Sequence, residues 1–380
     1  MTLRRFISAL IALVLLGGCT IEPPLYLRKT VATRVVLQTS VSTDIMWQLN
    51  WQTEWDYAWQ TELYGPLGYT APTRMRMHVY TIDDEWQRKS HNIYNFNGLE
   101  GTADIFVGYH DLLFHNNDSE VNLFLSDDDL SDISAYARII SSGLRTSTTV
   151  KTLEQKAMAT KADYDDAEIT ESVTLMPDEL FTLYKPKYYI SDNLDDYEYI
   201  NGKYVLHIQG ELKPATFIWL FQIKFVNNYD RVIGSMGGAA LTGMAYSVNM
   251  SSGITDETAV SVPMDVHINK TEDPDMMGAR VLSFGIPGCN PYDDASVAAA
   301  PQGKHWFVLN VNFSTGTYKN IRIDVTDQIR ALPTGGVIQL EVDVDDFPPE
   351  ITDPPVTGGG GFNPIMNDWD EEVGSTTITY

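Results

Sequence analysis

The chain of 380 residues is poor in cysteine and in basic side chains. It contains two cysteines, and its 26 Lys and Arg stand against 51 Asp and Glu, which gives a formal net charge of −25 at pH 7. Residues 331–380 contain ten acids and no Lys, Arg or His. Because phosphate contacts need a basic face, this charge excludes nucleic acid and other polyanions as partners.

The sequence also lacks a hydrophobic run long enough to span a membrane. The longest one, residues 6–16, has 11 residues, whereas a membrane-spanning helix needs about 20. It follows two arginines and ends at Leu16-Gly17-Gly18-Cys19, the pattern of a bacterial lipoprotein signal peptide. We therefore expect residues 1–18 to be removed and Cys19 to carry acyl chains that anchor the protein in a membrane.

Lipidation of Cys19 would leave Cys289 as the only thiol of the mature chain, so the sequence predicts no intramolecular disulfide. Cys289 lies in a loop rich in Pro and Gly, at residues 287–291. No base for a catalytic cysteine can be identified nearby, which favours a small loop residue over a nucleophile.

Helical periodicity is scarce as well, and short alternating segments take its place. Apolar and polar residues alternate at residues 74–79, 217–225, 307–313, 321–325 and 338–345. Such segments, separated by Gly, Asn and Pro turns, predict an all-β protein built from sandwiches. The one helix that we expect is short, at residues 130–140, where the preceding acids 127–129 would suit a helix N-terminus.

A polar stretch at residues 141–166, poor in large apolar side chains, predicts a join between two domains. We expect an N-terminal domain over residues 34–170 and a C-terminal domain over residues 171–346. Residues 347–380 then form a separate tail, because Pro-Pro pairs stiffen its start and four consecutive glycines loosen it further on.

Four tryptophans recur at every fourth position: Trp47, Trp51, Trp55 and Trp59. Since the residues at odd positions are mostly apolar and those at even positions mostly polar, the period is two, and the pattern favours a strand over a helix. Two interpretations stay open. The tryptophans form the inner face of a sheet, or they form a platform on which sugar rings stack.

Patterns of catalysis and metal binding are missing. Neither HExxH nor CxxC occurs, His110 and His115 lack zinc-ligand spacing, and Gly234–Gly238 lacks the spacer of a nucleophile elbow. The acidic runs at residues 127–129 and 192–196 do not match a calcium loop. The sequence therefore predicts a non-enzymatic protein without a cofactor or a bound metal.

Two segments resemble a known family. Residues 98–120, which end in Asn116-Asn117-Asp118-Ser119-Glu120, and the tail at residues 358–380 are similar to Bacteroidales lipoproteins grouped with the fimbrillins of type V pili. The resemblance implies two transthyretin-like Greek-key β-sandwich domains in tandem. It also implies an outer-membrane lipoprotein at the cell surface or in a fimbrium, with other pilus subunits as partners.

The same resemblance implies assembly by strand exchange. In that family a trypsin-like, arginine-specific protease removes the first strand, and a strand of the neighbouring subunit fills the groove. On this chain the first candidate cleavage site is Arg34, which directly follows a lipidated leader at residues 19–33. The second candidate is Arg28, within that leader. The candidate donor strand is the end of the tail, with Thr376, Ile378 and Tyr380 on one face. The alternative function is a glycan-binding surface lipoprotein of a polysaccharide-uptake system, with the four tryptophans as its platform.

Overall fold

The alternating segments of the chain form strands, and the fold is all-β, as the sequence predicts. The computed structural model describes residues 30–39, 59–83, 85–125, 129–140, 171–200, 203–269, 275–352 and 376–378. The first eleven strands are β1 (Thr30–Thr39), β2 (Arg74–Ile82), β3 (Arg88–Asn97), β4 (Glu100–Phe106), β5 (Gly108–Asn116), β6 (Asn122–Leu125), β7 (Ser134–Ala137), β8 (Ser172–Val173), β9 (Phe181–Ile190), β10 (Glu198–Ile200) and β11 (Lys203–Pro214).

The second part of the chain adds ten strands and most of the short helices. The strands are β12 (Phe217–Val226), β13 (Val232–Ala245), β14 (Ser247–Asn249), β15 (Ala259–Met264), β16 (Val266–Asn269), β17 (Met276–Ser283), β18 (Trp306–Phe313), β19 (Tyr318–Asp324), β20 (Gly336–Asp343) and β21 (Thr376–Ile378). The helices are α1 (Thr61–Tyr64), α2 (Asp294–Ala299), α3 (Thr326–Ala331) and α4 (Pro349–Thr352), with 3₁₀ turns at Leu194–Asp196 and Val344–Asp346.

One eight-stranded sheet contains β1 to β5 and β9 to β11. Its order is β3-β2-β5-β9-β11-β1-β4, and β10 pairs with β11 beside this path. All neighbours are antiparallel except β1 and β11, which are parallel. The sheet therefore joins strands from both sides of residue 170, where the sequence predicts a domain boundary.

Both faces of this sheet are covered. Met75, Met77 and Val79 of β2 pack on one face in a cluster with Phe114. On the other face, Tyr80 packs with residues of the segment around β6 and β7 and with Phe284. Alternation along β2 thus sends successive side chains into two different cores, as the period of a strand requires.

The second half of the chain folds as a sandwich of two sheets. A four-stranded sheet, β16-β17-β12-β20, faces a six-stranded sheet, β21-β19-β18-β13-β15-β8. Between them Phe221 stacks on Phe307 with ring centroids 4.5 Å apart. On the opposite face of β12, Ile218 and Leu220 pack against Trp59. The strands predicted at residues 217–225, 307–313, 321–325 and 338–345 are confirmed by β12, β18, β19 and β20.

The helix predicted at residues 130–140 is wrong. Residues 130–132 form a turn, in which the Asp129 carboxylate accepts the Ser131 amide at 2.9 Å. The following strand, β7, pairs with β6 on one side and with β14 on the other. These long-range partners satisfy the backbone and override the local preference for a helix.

The C-terminal core continues past residue 346, where the sequence predicts its end. Phe347 is buried and packs edge-on against Phe313 at 5.2 Å. The Ile351 carbonyl accepts hydrogen bonds from the hydroxyls of Thr315 and Thr317. Residues 347–352 therefore pack with the sandwich.

Candidate strand-exchange site

The first described strand of the chain lies inside a sheet and not at its edge. Along its length β1 pairs with β11 in parallel and with β4 in antiparallel orientation. Arg34, the first candidate cleavage site, sits opposite His207 of β11 and Thr102 of β4. The candidate processing site is thus in the middle of a strand that is paired on both sides.

The neighbours of β1 depend on it for their pairing. In the described part of the chain, β4 is the end of the sheet and pairs with β1 alone. β11 has other partners only near its ends, where Lys203–Val205 pair with β10 and Lys213–Pro214 with β9. Loss of β1 would leave two facing rows of unpaired amide and carbonyl groups, which is the geometry of a groove that accepts a strand.

Apolar side chains line the core beneath this position. Ala103 and Ile105 of β4 are buried, as are Ile208 and Leu212 of β11, and all four belong to one cluster. A strand that replaces β1 would therefore gain main-chain hydrogen bonds and would also cover this apolar floor.

The candidate donor strand lies on an open edge. β21 pairs in parallel with β19 through Thr376 to Ile378, and β18 occupies the other side of β19. Two of the three candidate donor residues, Thr376 and Ile378, are thus in a strand, while Tyr380 lies outside the described residues. Among the described residues, β21 is therefore the outer strand of this sheet, and a donor function for it stays a prediction.

The Asn-Asn-Asp-Ser-Glu motif forms a polar clasp at the end of β5. The Asn116 amide donates to the Glu179 carbonyl and accepts from the Phe181 amide, at 2.9 and 2.7 Å. The Asp118 carboxylate accepts the Thr73 amide at 2.6 Å. Burial of Asp118 opposes a low pKa, but hydrogen bonds from the Asn116 side chain and from the amide and hydroxyl of Thr73 lower the pKa of this carboxyl.

The second half of the clasp is built around Asp178. Its carboxylate accepts the Ser119 hydroxyl and the amides of Glu120 and Val121, at 2.7 to 2.9 Å. Asn122 adds a reciprocal pair of bonds to the backbone of Asp178. The motif that carries the sequence resemblance is therefore a structural joint between β5, β6 and the segment that leads into β9.

An ion pair extends this joint to the sandwich. Arg280 of β17 contacts Glu179 at 2.7 Å, and the two side chains are 12% and 18% exposed. Beside it the Tyr69 hydroxyl donates to the Thr216 carbonyl at 2.8 Å, and burial raises the pKa of this tyrosine. These residues tie the eight-stranded sheet to the C-terminal sandwich.

The tryptophan series is largely outside the described residues, as are Cys19 and Arg28. Only Trp59 can be placed, directly before α1. Its ring packs on Tyr64 at 5.0 Å, and its indole N–H donates to the Gly65 carbonyl at 2.8 Å. Trp59 is half-buried against β12 and contributes to packing, so a platform function for the series stays a prediction for residues 47, 51 and 55.

Cys289 is a buried free thiol. Its Sγ lies 3.4 Å from the Ile286 carbonyl, and burial raises the pKa of the thiol. A raised pKa disfavours the reactive thiolate, which fits the small loop residue that the sequence indicates.

Sequence analysis did not predict a chain of three histidines across β3, β2 and β5. His91 lies 2.9 Å from His78, His78 lies 3.0 Å from His115, and His115 lies 2.7 Å from the Asn116 carbonyl. Because a carbonyl can only accept, His115 carries its proton on Nδ1, and each preceding histidine then donates through Nε2. No local sequence pattern indicates this chain of histidines, because the three residues come together only through strand pairing.

Burial keeps the His78 and His115 side chains uncharged. Burial, helped by the neighbouring histidines, lowers the pKa of His78 to about 2, and burial lowers that of His115 to about 4. His78 uses both ring nitrogens on the neighbouring histidines, and His115 uses one on His78 and one on the Asn116 carbonyl. Over the described ranges, no group of three or more His, Cys, Asp or Glu side chains is arranged to hold a metal ion. None of the described helices is long and apolar enough to cross a membrane.

Fold and site together define an all-β protein whose first described strand, β1, is paired on both sides within a sheet. Within that class, the chain belongs to the family described as a domain of unknown function, DUF5119, whose model matches residues 64–265. A comparison with curated proteins gives no match.

Solved structures of Bacteroidales proteins resemble the chain at low identity. One, described as a "putative adhesin" from Bacteroides ovatus, is 13% identical, with 84% of this chain and 95% of that chain covered and a TM-score of 0.47. The fimbrial anchor protein Mfa2 from Porphyromonas gingivalis is 12% identical, with 82% and 91% covered and a TM-score of 0.37.

Proposed function

We propose that this protein is a non-enzymatic cell-envelope lipoprotein, anchored through Cys19, that acts as a fimbrillin-like structural or accessory subunit of a type V pilus. The observation that carries the proposal is the position of β1. This strand contains the last four residues of the candidate leader, 30–33, and lies between β4 and β11. If β1 left the sheet, a groove would open between β4 and β11, and no other strand would have to leave with it.

Cleavage after Arg34 would start the exchange. Because Arg34 is paired on both sides, its peptide bond reaches a protease only when β1 leaves the sheet. The cut would separate residues 19–34, with the lipid on Cys19, from the rest of the protein. Only five residues of β1, Val35–Thr39, would remain, which is too little to refill the length of the groove.

The tail of a second copy would then fill the groove. Among the described residues, β21 pairs with its own domain through three residues, so its release costs little compared with the release of a fully paired strand. In the groove the tail would gain partners on two sides, β4 and β11, in place of the single partner β19. Main-chain bonds would supply affinity, and side chains that alternate along the tail would set the register.

Mass spectrometry of the N-terminus of protein recovered from the cell surface tests the processing step. We expect a mature start at Val35 for the wild type and for Arg28→Ala, and a lipidated start at Cys19 for Arg34→Ala. A start at Cys19 in all three proteins would contradict the proposal of a processed pilus subunit.

A photo-crosslinking residue at position 378 tests the exchange itself. We expect crosslinks between copies, from position 378 to β4 or β11. In the Arg34→Ala background, where the groove stays filled, we expect only crosslinks to β19 of the same chain. If processed protein also crosslinks only to its own β19, the tail is not the donor strand.

A further inference from the structure

Three aromatic side chains form a continuous exposed surface at one end of the eight-stranded sheet. Trp86, Tyr109 and Tyr189 are 54%, 40% and 52% exposed. The ring centroids of Trp86 and Tyr109 lie 5.1 Å apart, and those of Tyr109 and Tyr189 lie 4.8 Å apart. We refer to these three residues as the aromatic platform.

Trp86 lies in a turn with a strained backbone conformation. Trp86 has a φ of 61°, in the left-handed region that a bulky residue rarely adopts. The Asp83 carboxylate holds the turn by accepting the amides of Glu85 and Gln87, at 3.0 and 2.7 Å. The strained backbone conformation costs free energy. Because the indole is largely exposed, its burial offsets little of this cost.

A second strained position supports the indole from the side. Lys187 has a φ of 50°, at a break in the pairing of β5 with β9, and its ammonium lies 4.8 Å from the centre of the Trp86 ring. The carboxylate of Asp111 accepts the Lys187 amide at 2.9 Å and the Arg88 side chain at 3.0 Å. Asp111 is only 4% exposed, so a buried charge fixes the irregular strand below the platform. Bulges often redirect side chains at functional sites.

We propose that the aromatic platform binds a neutral oligosaccharide. The face of an aromatic ring is electron-rich and attracts the polarised C–H groups on the flat side of a sugar. Neighbouring rings are 5.1 and 4.8 Å apart and inclined by 50° and 43°, so a chain of linked sugars would have to curve to contact all three. Around the rings, Glu85, Gln87 and Lys187 offer acceptors and donors for hydroxyl groups. Acidic and basic side chains are mixed there, which favours an uncharged ligand.

The size of the platform argues against a protein as the occupant. A whole aromatic side chain buries about 150–250 Å², so three half-exposed rings offer roughly 300 Å². A stable protein interface needs about 800 Å² on each partner. A short glycan needs only the few stacked rings that this surface has.

A panel of immobilised neutral oligosaccharides, containing plant glucans, xylans and mannans and neutral mucin glycans, tests the proposal with the purified full-length protein. Isothermal titration calorimetry then measures the affinity for the best binder. We expect Trp86→Ala and Tyr189→Ala each to weaken binding by about tenfold or more. Both side chains are exposed, so thermal melting should show that the variants stay folded.

Tyr229→Ala is the matched control. Tyr229 is 79% exposed, has a φ of 46° and lies beside Arg231 with a distance of 5.7 Å to the ring centre, yet it lies outside the platform. We expect this variant to bind as the wild type does. Absence of binding to every glycan of the panel, or equal affinity in all four proteins, would overturn the proposal. Neither result bears on processing at Arg34, which is tested separately.

Discussion

At the scale of single residues, the histidine chain should make stability depend on pH. The folded protein holds His78 and His115 neutral, with pKa values of about 2 and 4, whereas an unfolded histidine titrates near 6.5. Below pH 6.5 the unfolded chain therefore binds more protons, and the free energy of unfolding falls as the pH falls. We expect a loss of about 1.4 kcal/mol per pH unit for each histidine that stays neutral.

Urea unfolding at pH 7 and pH 5 measures this loss. In the double variant His78→Gln, His115→Gln, the side chains still form hydrogen bonds but no longer titrate, so the loss between the two pH values should shrink by about 2 kcal/mol or more. The exposed His267 of β16 provides the control, since His267→Gln should keep the loss seen in the wild type. An unchanged pH dependence in the double variant would refute the expectation.

The sequence indicates the residues of the polar clasp but not the residues to which they form hydrogen bonds. The Asn116-to-Glu120 motif stood out as a local run of polar residues. Its partners, Thr73, Asp178 and Glu179, lie far away along the chain and come close only in the fold. Local patterns reveal which residues are unusual, whereas strand pairing decides what they contact.

At the scale of elements, β1 should behave as a replaceable part. A protein that lacks residues 1–39 would expose two sheet edges and the apolar floor formed by β4 and β11. We expect this variant to melt at a clearly lower temperature than a protein that lacks residues 354–380, because β21 forms only a short edge pairing.

A synthetic peptide of residues 30–39 should restore the melting temperature of the first variant, since a ligand that binds only the folded state stabilises it. A peptide of the same composition in scrambled order should have no effect, because register depends on the alternation of side chains. Equal melting temperatures of the two shortened proteins, or the same response to both peptides, would contradict the groove.

Elements with strong alternation were predictable, and elements set by distant partners were not. β12, β18, β19 and β20 appear where their alternation places them. In contrast, β7 replaces the predicted helix because β6 and β14 supply its hydrogen-bond partners. The pairing of β1 with β11 joins residues about 170 positions apart, for example Ala32 with Val205, and no local signal specifies it.

At the scale of the whole molecule, the ion pair between Glu179 and Arg280 connects two sheets that belong to different cores. Glu179→Ala would leave the Arg280 guanidinium largely buried without this carboxylate. We expect a destabilisation of about 3 kcal/mol, measured by urea unfolding, because removal of one partner of a buried pair is costly.

The exposed pair of Lys224 and Glu341 is the comparison. Its side chains are 30% and 56% exposed, so Glu341→Ala should cost less than about 1 kcal/mol. Similar costs for the two variants would mean that the junction between the sheets does not depend on the Glu179 carboxylate.

If Cys19 carries the proposed lipid, the direction in which β1 enters its sheet sets the distance of the protein from the membrane. Thr30 pairs with Phe106, at the same end of the sheet as Tyr109. The 11 residues from Cys19 to β1 span at most about 40 Å when fully extended. A chain that keeps its lipid would thus hold the aromatic platform close to the bilayer. In a chain cut after Arg34, the distance between the platform and the membrane would be set by the neighbouring subunits.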